Sequence, residues 1–295
     1  MIKKNIAVIW GGYSSEREVS ERSAQGIYSF LNKSIYNVIK VSIDHDNWTA
    51  QLDNHSYPIN KNDFSFKTDS QHIKFDFAYI IIHGTPGEDG PLQGYFDMLN
   101  IPYSSSGLLA CALTFSKFTC NNYLKSFGIK VANSILIKQD EQYNTTEIAK
   151  ELKLPLFVKP NVGGSSFAIT KVKEEKHLQD AINEAFTEAN EVLVESFVDG
   201  TEVTCGCYKT KTGKVALPIT EVVTHNEFFD YEAKYEGEVD EITPARISDE
   251  LTAYIQQLTL KLYDLVDAKG IIRADYIISN NEPILLEINT VPGMT

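Results

Sequence analysis

The stretch Asn5-Ile6-Ala7-Val8-Ile9-Trp10-Gly11-Gly12-Tyr13-Ser14-Ser15-Glu16-Arg17-Glu18-Val19-Ser20 decides the class of fold. Residues 5–10 form an apolar run of strand length, Gly11-Gly12 turns the chain, and residues 20–31 carry apolar side chains at helical spacing. Outward from this unit, residues 36–43 and 75–82 read as further strands and 92–99 as a short helix. Residues 44–74 are polar and weakly periodic, and are expected to hold loops and an edge element. Strand–helix alternation predicts a mostly parallel, layered α/β domain over residues 1–105. A ligand site is expected at the carboxyl ends of its strands, in residues 11–20 and 83–94.

Further along, residues 106–127 have helical patterning that stops at Gly128. A strand (131–137), a helix (145–152) and a short strand (156–159) follow. A loop rich in Gly and Ser (161–166) leads to another strand and a helix at 174–189. The last segment holds strands at 191–195 and 202–208, an aromatic and charged stretch at 226–241, a helix at 249–266, and two final strands at 271–278 and 283–288. The expected domains are therefore residues 1–105, 106–190 and 191–295, with no internal repeat or low-complexity tract.

Hydrophobic residues make up 43% and charged residues 23%, the range of globular proteins, and 295 residues are too many for one ordinary core. No apolar stretch approaches the roughly 20 residues that span a bilayer. The first residues enter a strand at once, without a signal-peptide core, so a cytoplasmic location is expected. Lys and Arg number 27 against 40 Asp and Glu, a net charge of −13 that argues against a nucleic-acid surface. Cys111, Cys120, Cys205 and Cys207 have neither disulfide nor zinc spacing and read as buried thiols.

Five constellations carry chemistry. Arg273-Ala274-Asp275 and Glu287-Ile288-Asn289 each put polar residues two apart on one strand face. Two carboxylates and an amide oxygen on a shared face suit a hard cation. The same pattern also describes a strand pair with a solvated side, with Arg273 and Asp275 as a structural ion pair. Lys159, at a strand end before Gly163-Gly164-Ser165-Ser166, suits phosphate binding by an ammonium and backbone N–H groups; no P-loop motif occurs. The strand ending Glu195-Ser196-Phe197-Val198, with Glu202 beyond, can offer backbone groups to an adenine edge and a carboxylate to a ribose, or be simply amphipathic. Glu16 can receive a substrate ammonium, or its loop can cap the following helix. His83-Gly84 with Gly87-Glu88-Asp89-Gly90 forms a second loop on the same edge.

In their order these signals are more specific. From Glu16 through Lys117, Lys159, Ser165, Glu195 and Lys234-Tyr235 to Asn289-Thr290-Val291-Pro292-Gly293-Met294-Thr295, the chain resembles the D-alanine–D-alanine ligase family of the ATP-grasp superfamily. The strings that carry the resemblance are GGYSSEREVS, HGTPGEDGPLQGYF, GGSS, FFDYEAKY, RADY and LLEINTVPGMT. It implies an α/β chain, α+β in its ATP-grasp part: a layered N-terminal parallel-sheet domain followed by a two-domain ATP-grasp with nucleotide between two antiparallel sheets. It also implies ATP-dependent joining of two D-alanines through a D-alanyl phosphate, for peptidoglycan precursor synthesis. Lys117, Lys159, Ser165 and Lys234 would meet ATP, with Glu195, Ser196, Phe197 and Val198 at the adenine and Glu202 at the ribose. Asp275, Glu287 and Asn289 would hold two Mg2+ (or Mn2+). Glu16, set among Ser165 and Tyr235, would bind the first D-alanine with His83. Arg273 and the N–H of Gly293 would stabilise charge on the attacked acyl group. A homodimer is expected, and Tyr235 favours an amine over D-lactate as second substrate.

Three departures qualify the resemblance. Phe167-Ala168 replaces a small aliphatic residue and Gly, and Phe229 stands where Tyr is common. Family members also continue past the equivalent of Thr295 with a serine-containing segment and a helix, so a tail or an incomplete second-substrate site is expected. The rival readings are another ATP-grasp carboxylate–amine ligase, and a nucleotide-binding protein without turnover.

Overall fold

The computed structural model describes residues 3–164, 168–224 and 239–293. The chain divides into two compact units: Met1–Ala112 with Asp267–Ile272 and Thr290–Thr295, and Leu113–Val266 with Arg273–Asn289.

The first unit is built on β1 (Lys4–Gly11), which is followed by α1 (Arg17–Phe30). β2 (Tyr36–Ile43) is followed by β3 (Trp48–Leu52), β4 (His55–Pro58), the small pair β5 (Ser65–Lys67) and β6 (His72–Lys74), and then β7 (Phe77–Ile80) and α2 (Pro91–Leu99). The main sheet has the order β4-β3-β2-β1-β7. β1 pairs in parallel with both β2 and β7, so the expected parallel layer is present at its centre. Ile6, Ala7, Val8 and Ile9 are all buried, as a strand covered on both faces requires. One face carries Ala7 and Ile9 into a core with Phe64, Phe66, Phe75 and Phe96; the other carries Val8 against Ala24 of α1 and Val291.

The turn after β1 needs glycine. Gly11 sits at φ +106°, and a Cβ there would come 2.5 Å from the Ile43 carbonyl oxygen. Ser20, fully buried in the first turns of α1, accepts from Gly11 N at 3.0 Å and donates to Ile81 O at 2.8 Å, pinning the helix to the strand ends.

Residues 44–74 hold more than the loops and edge element expected of them. β3 and β4 extend the sheet antiparallel, and β5 pairs with β6. Their periodicity is faint because short edge strands bury few residues, and Phe64, fully buried, lies outside the strands.

The helical stretch 106–127 is two helices, α3 (Leu108–Phe115) and α4 (Lys117–Lys125). Ser116 breaks them: its backbone is extended, and its hydroxyl accepts from Thr119 N as an N-cap.

In the second unit, β8 (Ser134–Lys138), β9 (Leu156–Pro160), β10 (Thr170–Val172) and β11 (Glu191–Ser196) form an antiparallel sheet of order β10-β9-β11-β8. α5 (Thr145–Leu152) and α6 (Leu178–Ala185) bury Ile148, Leu152, Leu178 and Ile182 against Val158, Val192 and Val194. The predicted helix 174–189 is shorter: a 3-10 turn (Glu175–His177) precedes α6. A second sheet has the order β14-β13-β12-β15-β16, from β12 (Thr201–Thr210), β13 (Gly213–Thr224), β14 (Val239–Ile242), β15 (Ile271–Ser279) and β16 (Glu282–Asn289). Periodicity leaves β13 unassigned, and Pro218 argues against a central strand. Pro218 is tolerated because Leu217 and Pro218 together face Gly206 at a bulge, where a ladder N–H is not needed. The helix Asp249–Leu265, capped by Ser248 through Leu251 N, places Thr259 at 2.8 Å from the buried Tyr276 hydroxyl.

All four cysteines are free and buried, as expected. Among the described residues no helix is long and apolar enough to cross a membrane.

Phe64 is fully buried and packs edge-on against Phe96, Trp48 and Tyr95. Phe64→Ala should lower the stability of the first unit by about 3–5 kcal/mol in urea unfolding, with little change for the polar Asn62→Ala.

Candidate functional site

In the second unit the predicted polar residues converge from four strands and one helix. Lys159 near the end of β9 and Glu195 near the end of β11 are diagonal neighbours, since Lys159 pairs with Leu193 and Glu195 with Phe157. Their side chains meet, Lys159 Nζ to Glu195 Oε2 at 2.5 Å, although the residues are only 8% and 5% exposed. Burial alone would push the Lys159 ammonium down, but Glu195, with Glu287 and Glu202 behind it, holds it above its ordinary value.

Lys117, the first residue of α4, is buried too. Its ammonium donates to the Gly163 carbonyl at 2.5 Å and lies 3.4 Å from Glu287 Oε2. Two lysines thus flank the base of the Gly- and Ser-rich loop, each held by a carboxylate.

On β15 and β16, Asp275 lies opposite Glu287 and Arg273 opposite Asn289. Arg273 donates through Nε and Nη2 to the two oxygens of Asp275, both at 2.8 Å, and Asn289 Nδ2 donates to Asp275 Oδ2 at 2.9 Å. Burial opposes the Arg273 charge, yet Asp275 holds its pKa above the ordinary value. A bulge after Asp275 shifts the register so that Tyr276 faces Leu285. It leaves Leu286 outside the paired register, and the Leu286 carbonyl accepts from Asn121 Nδ2 of α4 at 3.3 Å. Among the described residues no three His, Cys, Asp or Glu side chains stand together as a metal site. The set here has two carboxylates and an amide oxygen, all hard donors on adjoining strands, which fits a hard divalent cation in chemistry.

Of the residues predicted at the adenine, the Ser196 hydroxyl donates to Leu152 O at 2.9 Å. The Phe197 ring lies 5.9 Å from that of Phe157 and carries the Lys171 ammonium at 4.0 Å over its face. Val198 is half-buried, and Glu202 stands on β12.

The remaining described site residues belong to the first unit. Glu16 occupies the N-cap position of α1, but its side chain makes no capping bond and is buried. Gly84, at φ +72°, lies against it: a Cβ there would meet Ser14 Oγ at 2.6 Å and Glu16 Oε2 at 3.3 Å. His83 is buried, with Nε2 3.2 Å from Ser23 Oγ, and its carbonyl accepts from Ser14 Oγ at 3.0 Å. Glu88, given no role by its sequence context, ties this loop together. One oxygen accepts from Gly84 N at 2.8 Å and the other from Val291 N at 3.2 Å, two residues before Gly293. Its place in the HGTPGEDG string is the only signal that could have marked it. Asn121 and Asn161 were equally silent in the sequence. Ser165, Lys234 and Tyr235 lie outside the described residues, as do Phe167 and Phe229. Ala168 adopts φ +51°, a left-handed conformation that favours glycine.

Residues 5–106 match the family model for the D-ala D-ala ligase N-terminus, and residues 123–295 that for its C-terminus. The chain belongs to the D-alanine–D-alanine ligase family. A D-alanine–D-alanine ligase of Bacteroides fragilis is 57% identical over all of this chain and 91% of its own length. Among solved structures, the VanG D-Ala:D-Ser ligase of Enterococcus faecalis aligns at 32% identity and a TM-score of 0.86, covering 100% of this chain and 92% of that one. A D-alanine–D-alanine ligase of Bacillus anthracis complexed with ATP aligns at 28% identity and a TM-score of 0.78, over 99% and 88%. Within this ligase family the fold is the α/β arrangement expected.

Breaking the buried Lys159–Glu195 pair leaves an ammonium without its main partner. Glu195→Gln should therefore cost about 3–5 kcal/mol of stability at neutral pH. A lysine whose folded pKa is raised stabilises the fold fully below its unfolded pKa and loses that contribution as pH rises through the folded value. The gap between wild type and variant, followed by denaturant unfolding, should narrow as pH rises through and beyond about 10.4.

Proposed function

We propose that this chain joins two D-alanine molecules into D-alanyl-D-alanine at the expense of ATP, for peptidoglycan precursor synthesis. The observation that carries the proposal is its match, over the whole chain, to D-alanine–D-alanine ligases at 57% identity. The buried lysine and carboxylate cluster of the second unit supports it, because such groups suit phosphoryl transfer, which needs positioning and charge neutralisation more than covalent help.

A carboxylate is a poor electrophile. In the proposed course a carboxylate oxygen of the first D-alanine attacks the γ-phosphorus of ATP, and ADP leaves with the electrons of the broken bond. The amine of the second D-alanine then attacks the acyl carbon, loses a proton, and inorganic phosphate departs from the tetrahedral intermediate. Lys117 and Lys159 would hold phosphates, moving from Glu287 and Glu195 towards the nucleotide. Glu195, Ser196, Phe197 and Val198 would border the adenine and Glu202 the ribose, with Ser165 and Lys234 completing the ATP contacts. Glu16, with Ser165, Tyr235 and His83, would receive the first D-alanine. Arg273 and the Gly293 N–H would meet the charge that develops on the acyl oxygen. Asp275, Glu287 and Asn289 would hold two Mg2+ (or Mn2+), which when bound neutralise phosphate charge.

Residues 1–105 would serve as the substrate domain, and 106–190 and 191–295 as the two ATP-grasp domains. A homodimer working in the cytoplasm belongs to the same proposal, as does D-alanine rather than D-lactate as second substrate.

Phosphate release from ATP with magnesium tests this reading. Release that requires D-alanine supports it. Release with other amino acids only would favour a different ligase, and tight ATP binding without turnover a non-catalytic protein. Glu287→Gln should lower turnover by about 10²–10³-fold while circular dichroism shows the fold intact, at a lowered melting temperature because Lys117 loses its carboxylate; a near-normal rate would remove Glu287 from the site.

A further inference from the structure

Asn161 is almost completely buried two residues after Lys159, at 1% exposure, and every polar atom it owns is engaged. Its backbone N–H donates to Glu191 O at 2.9 Å and its carbonyl accepts from Lys117 N at 3.0 Å. Its side-chain Oδ1 accepts from Phe118 N at 2.9 Å, and Nδ2 donates to Glu191 Oε2 at 2.8 Å and Ser116 Oγ at 3.1 Å. One residue therefore binds the end of β9, the start of β11 and the N-terminus of α4.

A helix start leaves four backbone N–H groups without intrahelical partners. At α4, Lys117 N and Phe118 N go to the Asn161 carbonyl and Oδ1 and Thr119 N to the Ser116 hydroxyl, while Cys120 N makes the first intrahelical bond, to the Ser116 carbonyl. The N–H groups of Lys117, Phe118 and Thr119 are thus all taken up inside the protein. The Lys117 side chain projects from this helix end.

We propose that Asn161 is a positioning residue for the Lys117 ammonium, clamping the start of α4 to the strand that carries Lys159 so that the two lysines keep a fixed spacing towards the ATP phosphates. The inference rests on the proposed role of Lys117 at ATP. A long lysine side chain adds rotamer freedom to any movement of its helix, so the backbone from which it projects must be held for the ammonium to be preorganised. The Gly163 carbonyl that receives Lys117 lies two residues beyond Asn161, so the clamp and the lysine's resting partner belong to one short segment.

The test measures ATP dissociation constants by titration without D-alanine, and KM for D-alanine in turnover, on the full chain. Asn161→Ala should weaken ATP binding about tenfold and leave the D-alanine KM within about twofold. In a Lys117→Ala background the same substitution should have no further effect on ATP binding, because Asn161 acts through Lys117. Asn161→Asp sets a carboxylate against Glu191 and should be as harmful as alanine. Asn161→Asp with Glu191→Gln reverses the polarity of that bond and should return ATP affinity to within about threefold of wild type.

A loss of thermal stability with ATP affinity unchanged in Asn161→Ala would overturn the proposal and leave Asn161 a purely structural clamp. So would an Asn161 effect that persists undiminished in the Lys117→Ala background. If Lys117→Ala itself leaves ATP affinity unaltered, the reading of Lys117 as a phosphate ligand fails, and the positioning role with it. If only the Asn161 variants do so, that reading stands and the positioning role alone falls.

Discussion

An ammonium group held out of water needs a carboxylate within reach, and the second unit contains two such ammoniums in one neighbourhood. Lys159 leans on Glu195 and Lys117 on Glu287, and each pairing joins parts of the chain that are far apart in sequence. Desolvating these charges is expensive, so the surrounding backbone must be placed closely enough for the pairs to form. The diagonal register of β9 and β11 does this for Lys159. For Lys117 it is done by α4, whose first turn is tied to Asn161 and whose second turn reaches the carbonyl of Leu286, the residue before Glu287.

The same constraint explains the bulge in β15 and β16. A regular ladder would run past Asp275 and Glu287 without interruption. The shift after Asp275 leaves Leu286 outside the register, where Asn121 takes its carbonyl, and puts Tyr276 in the core against Thr259. Asp275 itself accepts three hydrogen bonds, two from Arg273 and one from Asn289. Pairs of this kind keep buried charged groups satisfied. In the first unit, Glu88 has a comparable place, with its carboxylate bridging the Gly84 and Val291 amides.

Much of this was legible in the sequence where a residue's role depends on its own neighbours. The strand 36–43 and the helix 145–152 appear with the bounds their periodicity predicts, because burial of one face writes a regular pattern. Arg273, Asp275, Glu287 and Asn289 share a face by spacing alone, and the structure brings them together. The helical patterning of 106–127 runs through Ser116 without a local break, and it is the Ser116 hydroxyl, accepting from Thr119 N, that separates α3 from α4. β13 has no counterpart among the elements read from the sequence; it contains Pro218, and the bulge opposite Gly206 makes room for that residue.

By itself, then, the sequence determined the family, the alternation of elements and the identity of the charged groups, since these rest on order, spacing and side-chain chemistry. The tertiary structure alone decided which carboxylate holds which lysine, that Glu88 joins two loops, and that Asn161 caps α4. Asn161 and Ser116 are 45 positions apart, and Glu88 and Val291 are 203 apart. Hydrogen bonds across such separations exist only once strands have paired and helices have packed, so no local pattern of residues can carry them.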